Sequence, residues 1–324
     1  MPSNNLASPQ VFKQSMKLMG NQFEISVVAN DLAFADEKIA LAVAEIKRIE
    51  QLLTTFKADS QTNQINENAG IAPVKVDSEV FHLIQRSIRI SEISQGAFDI
   101  TYGSLDKRFW NFDTQMESLP DKEVAKKSVS LINYKNVILD LETQTIFLKQ
   151  KGMRIGFGGI GKGYAADRAK KILQEAGVGC GIVNASGDLS TWGTQPCGKP
   201  WTVGIADPIN KYKPFSFMDI SNMAIATSGS YEKFVVINGK KYSHTIDPHT
   251  GFPVSGIKSV SIICPQAELA DALATPVMVM GVEVGLNLIN QLSNIACIII
   301  DDYNRLYTSK NININQVKNH LNYA

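Results

Sequence analysis

Phe234-Val-Val-Ile-Asn-Gly-Lys-Lys-Tyr-Ser-His-Thr-Ile-Asp-Pro-His-Thr-Gly251 is the stretch that decides the fold class. Four aromatic and β-branched residues, Phe234–Ile237, run straight into Asn238-Gly239. Asn and Gly tolerate the left-handed backbone that a two-residue hairpin turn requires, so the chain here predicts two strands folded back on each other. A second strand leaves that turn and ends in an Asp-Pro turn at Asp247-Pro248. Hairpins make antiparallel pairs.

Working outward, strands are expected at Phe23–Ala29, Val137–Leu141, Thr145–Leu148, Gly181–Ala185, Trp201–Ile205, Phe217–Ile220, Ser259–Ile263 and Ala296–Ile300. A helix from about Ala33 to Leu53 follows from Ile39, Val43, Ile46, Ile49 and Leu53 at helical spacing, with Asn30 and Asp31 as caps. A second runs from Ser78 to Ser94 and stops at Gly96. A third leads from the Gly-rich segment to Ala176, and two helical patterns lie between Ala270 and Leu292. Residues 59–70 are a polar, Asn-rich stretch and 107–136 read as a surface excursion. Helices and strands mix without βαβ alternation, which favours α+β, with mixed or antiparallel sheets and helices packed on them.

The chain has 324 residues, enough for a sizeable core. Its 32 basic and 31 acidic residues leave a net charge of +1, which argues against a general nucleic-acid binder. Cys180, Cys197, Cys264 and Cys297 show no CxxC spacing, so neither a zinc site nor a disulfide framework is expected. No apolar run is long enough to span a bilayer. The first residues lack a signal-like apolar segment, so the chain as written reads as cytoplasmic. A removed signal would make it a periplasmic, membrane-anchored lipoprotein instead.

Three places could carry chemistry. Residues 156–163 hold five glycines, and Lys162 stands among them at a helix start. Glycines let backbone N–H groups approach an anion, so this is either a phosphate cradle or a tight turn for close helix packing. It is neither a Walker motif nor a dinucleotide fingerprint. Asn184–Asp188 and Ala226–Tyr231 read as turns. His244 could act as a base beside Asp247, or be a polar turn residue; His249 reads as a turn residue. Asp271 and Thr275 share a face if 270–275 is helical, an oxygen pair suited to magnesium. Alternatively, Thr275 caps a helix that starts at Pro276.

Taken in order, seven blocks resemble the ApbE family of FAD:protein FMN transferases. They are Lys17–Gly20, Gly96–Thr101, Gly158–Tyr164, Val183–Asp188, Ala226–Gly229, Tyr242–Gly251 and Ala270–Thr275, with a weaker block from Glu50 to Asn66. The resemblance implies a T-fold-like architecture with FAD in a cleft between two lobes. It implies one catalytic domain over residues 17–305, an N-terminal extension (1–16) and a C-terminal tail (306–324). By the same resemblance Met19, Phe56, Ala97, Phe98, Asp99 and Ile246 contact the flavin or adenosine side, and Lys162 contacts the phosphates. Asp271, Thr275 and the Gly159 carbonyl hold Mg2+, and His244 activates the acceptor hydroxyl. The implied reaction moves FMN from FAD, the substrate, to a Thr or Ser of an acceptor flavoprotein subunit and releases AMP. FAD hydrolysis to FMN and AMP, or non-catalytic FAD carriage, are the rival readings. This chain departs from the family pattern at Gly156, where an Asp is common, and at Pro276, where a small residue is usual.

Overall fold

The computed structural model describes residues 8–106, 108, 110, 118–206, 214–229, 234–237, 239–312 and 317–318. Its centre is an eight-stranded sheet of β1 (Gln10–Leu18), β2 (Asn21–Ala29), β6 (Gly181–Ala185), β7 (Asp188–Trp192), β10 (Ala224–Gly229), β13 (Ile257–Cys264), β14 (Ala296–Asp301) and β15 (Leu306–Thr308), neighbours in that order. Each neighbouring pair is antiparallel. The α+β class expected from the hairpin is therefore the one adopted, in its antiparallel form. Two tight turns set the register. Met19 and Gly20 (φ 50° and 73°) join β1 to β2, and Ser186 and Gly187 (φ 57° and 100°) join β6 to β7. Both pairs have the positive φ of the turn that matches strand twist.

Strand alternation divides the core between the sheet's two faces. On one face Ala224, Ala226, Val260, Ile262, Cys297 and Ile299 join the main cluster with the helices. On the other, Ile225, Ile263 and Ile298 meet Val203, Ile205, Met218 and Ile220 of β8 (Trp201–Ala206) and β9 (Pro214–Ile220). The helical layer is α1 (Leu32–Leu53) over β1 and β2, α5 (Gly161–Glu175) over β6 and β7, and α6 (Ala267–Met280) over β7, β10 and β13. Asp31 caps α1 by accepting the Phe34 N–H at 2.8 Å, and Ile39, Ala42, Ile46, Ile49 and Leu53 form its buried stripe. Each fully buried Ile or Leu is worth roughly 1.5–3 kcal/mol. The small residues of β10 are what let α6 lie close above it.

Around this core stand α2 (Gln61–Glu67), α3 (Ser78–Ile93), α4 (Lys122–Ser128) and α7 (Val282–Ile289). A three-stranded sheet joins β3 (Val74–Lys75), β5 (Thr145–Leu148) and β4 (Val137–Asp140), and a separate hairpin pairs β11 (Phe234–Ile237) with β12 (Lys240–Ser243). β16 (Val317–Lys318) pairs with β9.

Several expectations change. The sheet begins at Gln10, inside the stretch read as an extension, and β15 and β16 lie in the stretch read as a tail. The polar, Asn-rich stretch, to which no element was assigned, contains α2, which Ser60 caps by accepting the Asn63 N–H. The excursion lies partly outside the described residues, but its described part holds α4 and a buried Trp110. The turn read at 184–188 is present at Ser186-Gly187 between β6 and β7, whereas 226–229, also read as a turn, is the end of strand β10; residues 230–231 lie outside the described residues. Pro276 does not begin a helix. It lies within α6, so Asp271 and Thr275 do stand one turn apart on one helix.

Candidate functional site

The Gly-rich segment ends in a turn at Phe157–Ile160, where the Gly161 N–H bonds the Phe157 carbonyl at 2.7 Å, and α5 starts there. The strand-like stretch before it is held by Asn66 of α2. Its amide accepts from the Ile155 N–H at 2.7 Å and donates to the Ile155 carbonyl at 3.1 Å. The first turn of α5 carries Lys162. The reason for glycine differs along the segment. A Cβ on Gly163 would lie 2.1 Å from the Ala267 carbonyl oxygen, so α5 and α6 touch backbone to backbone. A Cβ on Gly159 would rest 3.5 Å from the Phe98 ring, and one on Gly161 3.7 Å from Met19.

Lys162 Nζ donates to Asp188 Oδ2 and, at 3.3 Å, to Asp271 Oδ1. The other Asp271 oxygen accepts the Gly163 N–H at 3.0 Å. Asp188 opens β7 and is 3% exposed; Asp271 is 5% exposed. Burial would push the lysine pKa down, but the charges of Asp271 and Asp188 overcome it and hold the ammonium above the ordinary lysine range. Burial, with the neighbouring Asp271 charge, pushes the Asp188 carboxyl up; Lys162 and the Thr227 N–H work against it. Thr275 Oγ1 meets Ser228 Oγ of β10 at 3.1 Å.

Asp188 and Ser228 were missed as site residues in the sequence reading because each sits in a segment of turn composition. The signal available was their place in ordered blocks of the family pattern.

Could this group hold a hard cation? Two buried carboxyl groups face one ammonium, and burial with the Asp271 charge pushes Asp188 up to about 7, a repulsion that an added cation would relieve. Each Asp271 oxygen accepts one hydrogen bond and keeps a further lone pair. Among the described residues no three His, Cys, Asp or Glu side chains converge, so the donors are carboxylate, hydroxyl and carbonyl oxygens. That set fits magnesium.

The remaining residues divide. Phe56 is 96% exposed on the α1–α2 loop. Asn63 donates to the Thr55 and Lys57 carbonyls and Ser60 to that of Thr54, so the loop is braced from within and the ring is left outside. Ala97 and Phe98 are buried beside the Gly-rich turn. Asp99 spends both oxygens internally: one accepts from the Thr101 N–H and hydroxyl, the other from the Tyr134 N–H. It is a turn brace, not an open carboxylate.

His244 follows β12 directly and is half-buried. Ile246, 1% exposed, packs with Leu105, Trp110, Ala125 and Val129, and its N–H bonds the Tyr102 hydroxyl at 3.1 Å. His249 does more than fill a turn. Its Nδ1 lies 3.0 Å from Asp247 and its Nε2 2.9 Å from the Gln95 carbonyl. It thereby ties the His244 loop to the turn that leads into Ala97–Asp99. At Gly156 a Cβ would meet nothing within 4 Å, so the position has room for a side chain.

Residues 19–299 match the ApbE family. The chain is similar to a protein of Klebsiella pneumoniae (strain 342) named FAD:protein FMN transferase, with 32% identity covering 91% of this chain and 90% of that one. A protein of Salmonella typhimurium with the same name is 31% identical over 87% of this chain and 82% of its own length. The crystal structure of an ApbE protein from Thermotoga maritima superposes with a TM-score of 0.83, at 29% identity, covering 93% of this chain and 97% of that one.

Proposed function

The chain belongs to the ApbE family, and from that premise we propose that it is an FAD:protein FMN transferase, which uses Mg2+ to move FMN from FAD onto a Thr or Ser hydroxyl of an acceptor protein and releases AMP. In this reading the architecture is T-fold-like and FAD lies in a cleft between two lobes. The observation that carries the proposal is the half-buried Lys162 at the start of α5 held between the buried Asp188 and Asp271, with Thr275 one turn along α6.

The acceptor oxygen forms a bond to the phosphorus on the riboflavin side, and the bond from that phosphorus to the bridging oxygen breaks, so that AMP leaves. Lys162 donates to phosphate oxygens, kept charged and aimed by Asp188 and Asp271. The Gly161 and Gly163 amides are already bonded to the Phe157 carbonyl and to Asp271, so within the first turn of α5 the lysine side chain carries the phosphate contact. Asp271, Thr275 and the Gly159 carbonyl would hold magnesium, which when bound neutralises charge on the pyrophosphate oxygens. His244 takes the proton of the acceptor hydroxyl, help worth roughly 10²–10⁴-fold. Phe56, Met19, Ala97 and Phe98 line the flavin and adenosine sides. Asp99 shapes that wall by bracing its turn, and Ile246 anchors the His244 loop.

The test is incubation with FAD, Mg2+ and a threonine-bearing acceptor, followed by intact mass of the acceptor and free AMP. The acceptor gains the mass of FMN less one water as AMP appears in equal amount. AMP with an unmodified acceptor makes the protein a hydrolase, and neither product makes it a carrier. His244→Ala is expected to bind FAD and to lose nearly all transfer; undiminished transfer takes the histidine out of the mechanism.

A further inference from the structure

The two helices that carry the site both begin without a side-chain cap of their own. Neither Ile160 before α5 nor Gln266 before α6 makes a capping hydrogen bond. Unmet N–H groups in a first turn are costly when buried, so partners must come from elsewhere. Here each helix caps the other. Asp271 of α6 accepts the Gly163 N–H of α5 at 3.0 Å, and Asp167 of α5 accepts the Glu268 N–H of α6 at 2.9 Å. The absence of a Cβ at Gly163 permits the approach.

Asp167 has a second attachment. Its Oδ1 accepts the Ser190 hydroxyl at 3.0 Å. Ser190 lies on β7 two residues after Asp188, hence on the same face of the sheet. Burial pushes the Asp167 carboxyl up, and the Glu268 and Ala267 N–H groups and Ser190 oppose that push. One carboxylate therefore joins the three elements that deliver Lys162, Asp188 and the Asp271–Thr275 pair.

We propose that Asp167 is a positioning residue: it fixes the register of α6 on α5, and so sets where Asp271 and Thr275 stand relative to Lys162. The inference rests on the reading of Asp271 as a magnesium ligand. Loss of a group that orients a ligand typically weakens metal binding 10- to 100-fold.

Two measurements on the full chain test it. In the first, Mg2+ is titrated calorimetrically into FAD-loaded wild type, Asp167→Ala, Asp167→Asn and Leu173→Ala. Asp167→Ala is expected to bind Mg2+ about 10- to 100-fold more weakly. Asp167→Asn should restore most of the affinity, because its amide oxygen still accepts the Glu268 N–H while Ser190 accepts from its NH2. Leu173→Ala, which opens a buried site on the same helix, lowers the melting temperature without touching either cap and should bind Mg2+ normally. Equal weakening by Leu173→Ala, or wild-type affinity in Asp167→Ala, overturns the proposal. In the second, hydrogen exchange is followed at Gly163, whose amide is bonded to Asp271 and not to Asp167. Asp167→Ala should speed it because the reciprocal cap loosens, with the last turns of α5 unchanged; unchanged exchange at Gly163 overturns the proposal by itself. Failure of wild type to bind Mg2+, with exchange at Gly163 still coupled to Asp167, would instead sink the ligand reading and leave the register role supported.

Discussion

Gly163→Ala adds one methyl group where two helices meet. The new Cβ would fall 2.1 Å from the Ala267 carbonyl oxygen, 2.5 Å from its carbon and 2.8 Å from the Glu268 nitrogen. All three are backbone atoms, so no side chain can swing aside. Ordinary contact starts at 3.4 Å, and α6 must move off α5 by roughly 1 Å at its first turn. Such overpacking costs about 1–3 kcal/mol. Alanine returns about 1 kcal/mol through its higher helix propensity. The net loss of stability is thus about 2 kcal/mol or less, and the protein should fold. Catalysis is less forgiving. The movement carries Asp271 away from Lys162 and Gly163, and a misplacement of about 1 Å can cost on the order of 10²-fold in rate. The assay is AMP release and acceptor labelling beside a thermal melt, with Gly179→Ala as control, because a Cβ there meets nothing within 4 Å. Near-normal turnover by Gly163→Ala would refute the argument that close backbone contact sets the site.

Gly156→Asp puts a carboxylate into open space. If it regains the nucleotide contact common in the family, FAD affinity measured by flavin fluorescence should rise about tenfold, the worth of one charged hydrogen bond. His249→Ala cuts the tie between Asp247 and the Gln95 carbonyl. Transfer should fall on the order of tenfold while the melting temperature changes little, since the residue is exposed and the lost hydrogen bonds are worth about 1 kcal/mol each. The hydrogen bond from Arg48 holds Glu45 below the ordinary carboxylate range against burial, with Arg168 adding to it. Burial pushes Glu79 up, but Arg48 and Tyr164 outweigh that and leave it lowered. Because both folded values are depressed, their stabilisation is complete above the ordinary value of 4.5 and is lost as pH falls through the folded values. Thermal melts between about pH 6 and about pH 3 should show wild type weakening below pH 4.5, and Glu45→Gln starting lower and losing less; parallel curves would rule these groups out.

Periodicity made α1 legible, because Ile39, Ile46, Ile49 and Leu53 fall on one buried stripe. The hairpin at β11–β12 and the ends of α3 and α5 were legible from Asn, Gly and their φ demands. What hid were elements whose inward residues are polar or small for a reason. The end of β10 looked like a loop because its inward residues are small: Ala224 and Ala226 pack in the core, and Ser228 meets Thr275. α2 went unread because its buried residues Asn63 and Asn66 spend their amides on neighbouring backbone. β1 alternates Phe12, Gln14, Met16 and Leu18, and Gln14 breaks the apolar row. In the site, Lys162, Asp271 and Thr275 were readable as a group only through resemblance. Asp188 and Asp167 were not, since their roles depend on contacts between segments remote in sequence.

Lys162 and Asp271 are separated by 109 positions in sequence. On a ribosome adding about 5–20 residues per second, that interval is roughly 5–20 s. Asp188 follows Lys162 by 26 positions, and from then on the nascent chain displays both with α6 still unmade. Once β10 is made, its outer border stays uncovered until β13 follows. The growing polypeptide therefore passes through a period in which it exposes raw strand edge and lacks the Asp271 carboxylate that pairs with Lys162. A ligand that needs all three groups rewards completed folding and cannot serve as a template that guides it.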